Sequence, residues 1–319
     1  MNNYLNIHLF ERLHHHSPTI SEAFEVRMEQ FMKEGKINSY YRVRSAKRAI
    51  EKIVGNGFRL SDITPEWLAD CELRWRREGK SPTTIVIYMK ALKAEINEQA
   101  RNGNFDIDMM PFGRGRYELP PAHSRKMALT KEQVTAIAYY KGNPTLEKYR
   151  DLWLFSYLCN GINFRDMIFL RYSNVYGDEI SFYRSKTSHS LKAAKEIRAS
   201  FTPMMREIIT RWGNPYDGRQ DTFLFKYASG NETPFEADAL VRKVTSLCNR
   251  HLKQLAEILG IPVFTTYSAR HSFATILNRN GVNIKYISDS LGHSSLKMTE
   301  TYLAGFTEED RLKYSKILL

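Results

Sequence analysis

Cysteine is scarce in this chain: three residues in 319, Cys71, Cys159 and Cys248, far apart and without a CxxC pair. An odd number at such spacing argues against a disulfide framework and a thiolate metal site, and fits buried thiols of a reducing cytoplasm. Long apolar runs are missing too. No stretch approaches the roughly 20 residues of a membrane span. The opening MNNYLNIHLFERLHHHSP has neither the basic start nor the apolar block of a secretory signal. His14, His15 and His16 are consecutive and cannot all face one ion on a regular element, so residues 1–18 read as a solvated leader. A GxxxxGK[ST] phosphate loop is absent. Acidic residues are outnumbered, 35 Asp and Glu against 47 Lys and Arg, which leaves a net charge of +12. Such an excess favours a polyanionic partner, and nucleic acid is the commonest.

What is present is globular: 42% hydrophobic and 12% aromatic residues, in a length sufficient for two domains. Residues 19–103 read as four helices. TISEAFEVRMEQFMKEG opens on a Thr or Ser cap and places Ile20, Phe24, Met28, Phe31 and Met32 on one stripe. SYYRVRSAKRAIEKIVGNG closes on Gly55, and ITPEWLADCELRWRREGK carries Pro65 near its start. SPTTIVIYMKALKAEINEQARNG begins with Ser81 as N-cap and Pro82 at the first helical position. Residues 104–127 then lose periodicity. Their Gly, Pro and Arg content marks a linker, and Arg114, Arg116, Arg125 and Lys126 suit a strap along phosphates.

The second domain, 128–319, opens on a Thr130/Gln133 capping box. Helices are expected around LEKYRDLWLFSYLC and NFRDMIFLRY. Near 180 the period changes to two, with Ile180 and Phe182 alternating with Glu179 and Ser181, which predicts a small hairpin or sheet. Helices resume to the end. The fold class is thus mainly α, with a small β-hairpin in an α+β second domain.

Within that domain, YSARHSFATILNRNG predicts a helix with Phe273, Ile276 and Leu277 on its buried face. NIKYISDSLGH predicts a second helix stopped by Gly292, and SSLKMTETYL a third. Arg270 then lies early in the first helix, His293 in a tight turn, and Tyr302 late in the third. No carboxylate or Cys stands at ligand spacing from His271 or His293, so no metal site is expected. A tyrosine among Arg, His and Lys suits attack on a phosphodiester: cations activate the phenol and hold the extra negative charge of the transition state. A phosphotyrosine link keeps the energy of the broken bond, so neither ATP nor a metal cofactor is called for.

ARHSFAT and LGHSSLKMTETYL resemble the two C-terminal boxes of the tyrosine recombinases, the phage integrase family. The resemblance covers most of the chain and implies a helical SAM-like core-binding domain, a linker and a catalytic domain with a C-terminal exchange helix. It further implies Tyr302 as the nucleophile that joins the DNA 3′ phosphate, and Arg270 and His293 as ligands of that phosphate. Lys186, in RSKTSH, implies the hairpin lysine that protonates the departing 5′ oxygen; Lys192 and Lys195 lie close by. The implied function is site-specific DNA recombination on double-stranded core sites by a homotetramer across two sites. A topoisomerase of type IB and a degenerate DNA-binding accessory factor are the competing readings.

Two positions depart from the family pattern. Asn163 stands in NGINFRD where the first arginine is expected, with Asp166 three residues on as a helix-capping pair. Arg165 is available as a substitute only if the turn is reshaped, because residues two apart on a helix project to nearly opposite sides; otherwise it serves a DNA phosphate or the surface. Tyr267 stands where His or Lys is usual, either donating its hydroxyl to phosphate or packing under Arg270.

For DNA contact, Arg42, Arg44, Lys47, Arg48, Lys80, Lys90 and Lys93 are candidate phosphate ligands, with Thr83 and Thr84 at a helix N-terminus. The tail FTEEDRLKYSKILL is expected to dock on a neighbouring protomer or to fold back on its own domain. A leader of about 18 residues is expected to be too short for an additional arm-binding domain.

Overall fold

Thr19 begins the first helix as the sequence predicts: its hydroxyl accepts from the Glu22 amide while Glu22 returns to the Thr19 backbone. A computed structural model describes residues 17–121, 127–185, 195–293 and 295–300, with 311, 315 and 316. The readings for His14–His16, Arg125, Lys126, Lys186, Lys192, Tyr302 and most of the C-terminal tail fall outside the described residues. The chain divides into two compact units, Met1–Ser124 and Arg125–Leu319.

The first unit holds α1 (Ile20–Lys33), α2 (Ile37–Val54), α3 (Pro65–Arg77) and α4 (Pro82–Arg101). Thr64 caps α3 and Ser81 caps α4, each followed by proline at the first helical position. Such caps contribute about 1 kcal/mol apiece. α1 buries Ile20 and Phe24, with Met28 and Phe31 half-covered and Met32 exposed. They meet Ile50, Leu68, Trp75, Ile85 and Leu92 in one core. Ser17, at the end of the expected leader, is buried; its carbonyl accepts from Arg59 and its hydroxyl from the Ser61 amide.

The stretch expected as a linker is part of this core. Phe105, Met110, Phe112 and Tyr117 are buried with the helices, and the Tyr117 hydroxyl donates to Glu72 on α3. Gly, Pro and Arg content argues against a long amphipathic helix here but not against packing: four apolar side chains without periodicity still join the core of a small bundle. The packed first unit therefore reaches at least Tyr117.

The second unit contains α5 (Lys131–Tyr139), α6 (Pro144–Leu158), α7 (Phe164–Ile168), β1 (Val175–Tyr176), β2 (Glu179–Tyr183), β3 (Glu196–Ser200), α8 (Pro203–Trp212), α9 (Pro234–Leu259), α10 (Ser268–Arg279), α11 (Ile284–Ser290) and α12 (Leu296–Glu300). The strands form an antiparallel sheet in the order β1-β2-β3, with Ile180 opposite Ala199 and Phe182 opposite Ile197. All four of these side chains are buried, as the two-residue alternation predicts. The core gathers α6 (Trp153, Phe155), α7, the sheet, α8 and α9, and includes Cys159 and Cys248; all three cysteines of the chain are buried free thiols.

α10 differs from expectation. It buries Ala269, Arg270, His271, Ser272, Ala274 and Thr275, while Phe273, Ile276 and Leu277 are half-covered. Its inner face is small and polar because α10 approaches the backbone after α6 closely. Asn160 and Gly161 form that turn with φ of 53° and 64°, and a β-carbon at Gly161 would stand 2.6 Å from Arg270 Cα. Gly161→Ala is expected to destabilise the protein by about 2–4 kcal/mol, combining the left-handed backbone with overpacking against a main chain that cannot yield. Urea unfolding measures this; a loss below about 1 kcal/mol would mean that the two segments are not held this close.

Candidate active site

Arg270 sits in the first turn of α10 and is 3% exposed. Its guanidinium donates to the Gly161 carbonyl at 3.2 Å and to the Leu291 carbonyl, and one Nη2 hydrogen bond reaches His293 Nε2 at 3.0 Å. The side chain thereby ties the turn after α6 to the end of α11. His293 follows Gly292, whose φ of 62° turns the chain back, and its amide donates to the Ser288 carbonyl. Its Nδ1 lies 2.9 Å from the Thr299 hydroxyl on α12. Both His293 and Thr299 are buried.

These bonds fix the state of the ring. Arginine only donates, so Nε2 accepts, and Nδ1 carries the proton and donates to Thr299. Burial holds the imidazole neutral, assisted by the charges of Arg270 and then Arg184, and its pKa is pushed down from the ordinary 6.5 to about 3. Between these values the unfolded chain binds a proton that the folded chain refuses, so stability falls as pH drops below about 6.5. At about 1.4 kcal/mol per pH unit, wild type should lose about 2 kcal/mol more than His293→Gln between pH 7 and pH 5. Urea titrations of both proteins at the two pH values measure the difference, and parallel losses would place the histidine outside this environment.

Two residues in this cluster were not singled out from the sequence. Thr299 lies three positions before Tyr302, and only its contact with His293 distinguishes it from other helix threonines. Arg184 follows β2 directly, is buried, and acts electrostatically on His293. A β-carbon at Gly292 would stand 2.5 Å from Ile197 Cδ1 and 3.2 Å from Arg184 Cδ, so glycine lets the His293 turn close onto the sheet. The signal was the strand alternation itself: Ile180, Phe182 and Arg184 occupy the inward register.

The remaining candidates are distributed as follows. Asn163 stands at the N-cap of α7 without a side-chain capping bond. Asp166 accepts instead from the amide of Ser185 at 3.0 Å and its hydroxyl at 2.6 Å, which anchors the end of β2 beside Arg184. The expected Asn163/Asp166 capping pair is therefore not formed, because the carboxylate finds two donors on Ser185, just past β2. Arg165 pairs with Asp238 of α9 at 3.6 Å. Tyr267 is 48% exposed at the entrance of α10, its ring edge-on to the His271 ring at 5.0 Å. Lys195 pairs with Asp289 of α11 at 2.5 Å.

In the first unit, Arg42, Arg48, Lys80, Thr83, Lys90 and Arg114 are exposed. Arg44 lies over the rings of Tyr40 and Tyr41 and Lys93 over Phe112. Thr84 is engaged with the Ser81 cap. Two expected phosphate ligands are committed elsewhere. Lys47 is held between Glu25 at 3.0 Å and Glu51 at 2.6 Å: the packing of α1 on α2 brings Glu25 to its ammonium, and Glu51 lies one turn on along α2. Arg116 donates to the Met110 and Asp108 carbonyls and closes its own loop.

Comparison with known proteins bears on both units. The Phage integrase family model matches residues 127–309, and the Phage integrase SAM-like domain matches residues 19–117. The tyrosine recombinase XerC of Rhodospirillum centenum is 32% identical over 114 residues, 35% of this chain and 30% of that protein. The chain thus aligns with about a third of the length of such relatives. Among solved structures, the Tn1549 transposon integrase in complex with a circular intermediate DNA has a TM-score of 0.67 at 17% identity, covering 95% of this chain and 100% of that one. A lambda integrase tetramer bound to a Holliday junction has a TM-score of 0.59 at 16% identity, covering 92% and 78%. At such identities the structures establish a shared fold, mainly helical with a small three-stranded sheet. With the family model matching more than half of its length, the chain belongs to the phage integrase family, the tyrosine recombinases.

Proposed function

We propose that this protein is a site-specific DNA recombinase that cuts and rejoins double-stranded DNA through a 3′-phosphotyrosine intermediate at Tyr302. The observation that carries this reading is the buried meeting of Arg270 and His293, where the charges acting on the imidazole are both guanidinium. Such a place receives an anion, and in this family the anion is the scissile phosphate.

In the proposed reaction the Tyr302 oxygen attacks phosphorus as the phenolic proton leaves to solvent. The P–O5′ bond breaks, and the departing oxygen takes a proton from the Lys186 ammonium. One phosphodiester replaces another, so the step consumes no ATP. Reversal with the 5′ hydroxyl of a partner strand completes the exchange. Arg270 is suited to fork onto a non-bridging oxygen. His293 must change role on binding, because Nε2 accepts from Arg270 in the free protein and has to donate to phosphate. Thr299 permits that change: its hydroxyl both donates and accepts, so it can rotate to donate to Nδ1 while the proton moves to Nε2.

The exposed cations Arg42, Arg48, Lys80, Lys90 and Arg114 are proposed to contact DNA phosphates. Four protomers on two core sites are the proposed assembly, in line with the tetrameric lambda integrase. The protein is proposed to work in the cytoplasm, associated with the nucleoid, on the DNA of a mobile element. Among the described residues no helix is long and apolar enough to cross a membrane.

The test is capture of a covalent adduct on a nicked core-site duplex in the presence of EDTA, with the modified peptide mapped. An adduct at Tyr302 followed by strand exchange is expected. Relaxation of plasmids lacking any preferred site, without exchange, would favour a topoisomerase of type IB, and binding without any adduct a DNA-binding accessory factor.

A further inference from the structure

We propose that Arg184 supplies the second guanidinium of the phosphate site, the positive charge that the family places at the position of Asn163. This rests on the cleavage reading above and adds the residue which makes it workable.

One side chain at the end of β2 is out of place for a sheet core. Ile180 and Phe182 point inward from β2 and fill the core, and the next inward position should hold another apolar residue. It holds Arg184, which is 8% exposed. A guanidinium is costly to bury, and a valine or isoleucine in this register would stabilise the sheet more. Its location gives the reason. Arg184 Cδ borders Gly292, the residue before His293, and the charge acts on the His293 ring together with that of Arg270. Two like charges around one buried imidazole repel each other in the free protein. An anion between them reverses the sign of that interaction.

The alternatives for the missing charge are otherwise occupied. Asn163 is uncharged, and Arg165, one residue into α7, is paired with Asp238 on α9. Arg184 is also held at a defined place. Its neighbour Ser185 donates twice to Asp166, which fixes the chain after β2 against α7 one residue before Lys186. A phosphoryl transition state spreads charge over two non-bridging oxygens, and one fork does not cover both. Arg270 and Arg184 come from different elements, a helix and a strand end, as two forks on one phosphate require.

The experiment compares wild type, Arg184→Ala and Arg184→Lys on nicked duplexes carrying either a normal phosphodiester or a neutral methylphosphonate at the scissile position. DNA affinity and thermal midpoint are recorded for each protein. On the phosphodiester, Arg184→Ala should form adduct about 10²–10³-fold more slowly at unchanged DNA affinity. On the methylphosphonate, where one charged oxygen is gone, the deficit should shrink to less than about 10-fold. Arg184→Lys, which keeps the charge without the fork, should fall between. A deficit of equal size on both linkages in Arg184→Lys as well as Arg184→Ala would make Arg184 a structural residue and overturn the proposal. So would unimpaired cleavage by Arg184→Ala. Wild type that forms no adduct on the phosphodiester overturns the cleavage reading and this one with it; wild-type cleavage beside an unaffected variant overturns this one alone.

Discussion

Tyr302→Phe is expected to abolish covalent adduct formation while leaving DNA affinity within about twofold of wild type. The proposed intermediate is a bond from the phenolic oxygen to phosphorus, and phenylalanine has no atom from which to form it. Arg270 and His293 are not expected to compensate: a guanidinium is no nucleophile at neutral pH, and His293 Nε2 is engaged by Arg270. A phenol buried purely for packing would behave differently, since losing one hydroxyl costs only about 1 kcal/mol of stability and leaves a covalent step at any other residue intact. Denaturing gels with end-labelled DNA separate the two cases. Adduct at the wild-type level in Tyr302→Phe would sink the assignment; adduct lost with DNA affinity kept would establish Tyr302 in the reaction and not in the recognition of DNA.

Much of this was legible in the residue order, and for a physical reason. Helix starts are local events: the Thr or Ser cap of the first helix, Ser81 before Pro82 and the Thr130/Gln133 pair depend only on residues a few positions apart, so Thr19, Ser81 and Thr130 cap their helices in the structure. Arg270 and His293 are 23 residues apart, yet two short boxes of fixed spacing bring them to mind together, and they share a hydrogen bond. What the residue order hid is non-local. Phe105, Phe112 and Tyr117 lack periodicity, so their burial depends on a bundle surface that only the fold supplies. Lys47 looks like a phosphate ligand until α1 sets Glu25 beside it. α10 looked amphipathic through Phe273, Ile276 and Leu277, but the close approach of Gly161 selects its small, polar face for burial.

The same non-local logic explains why one site needs so many weakly visible parts. Gly161 and Gly292 lie in separate loops, both with left-handed φ, and each admits a neighbour that a β-carbon would displace, Arg270 in one case and the sheet edge with Arg184 in the other. Asp166 secures Ser185, and Thr299 holds the His293 ring. None of these is a charge that a phosphate would sense directly, but together they hold Arg184, Arg270 and the His293 imidazole in defined places, which under the proposed function would leave little reorganisation for the reaction.

Arg270 holds the site together and is a proposed phosphate ligand, and its replacement should have the largest effect among the proposed ligands. Arg270→Ala removes the donor from the Gly161 and Leu291 carbonyls and from His293 Nε2. A buried acceptor left without its donor costs about 1–3 kcal/mol, so a loss of about 3–5 kcal/mol in urea unfolding is expected before catalysis is considered. Cleavage, measured in conditions where the variant is still folded, should fall by more than about 10³-fold, since the proposed charge-assisted fork on the phosphate would be lost together with the alignment of His293. Arg270→Lys separates the contributions. Its single ammonium keeps the charge but cannot reach two carbonyls, an imidazole and a phosphate oxygen from one point. It should recover part of the stability and leave cleavage about 10²-fold or more below wild type. If Arg270→Lys instead restores cleavage while remaining as unstable as Arg270→Ala, the geometry of the fork does not matter to the reaction. Arg270 would then act as a diffuse positive charge, and the hydrogen-bonded arrangement with His293 would belong to the fold alone.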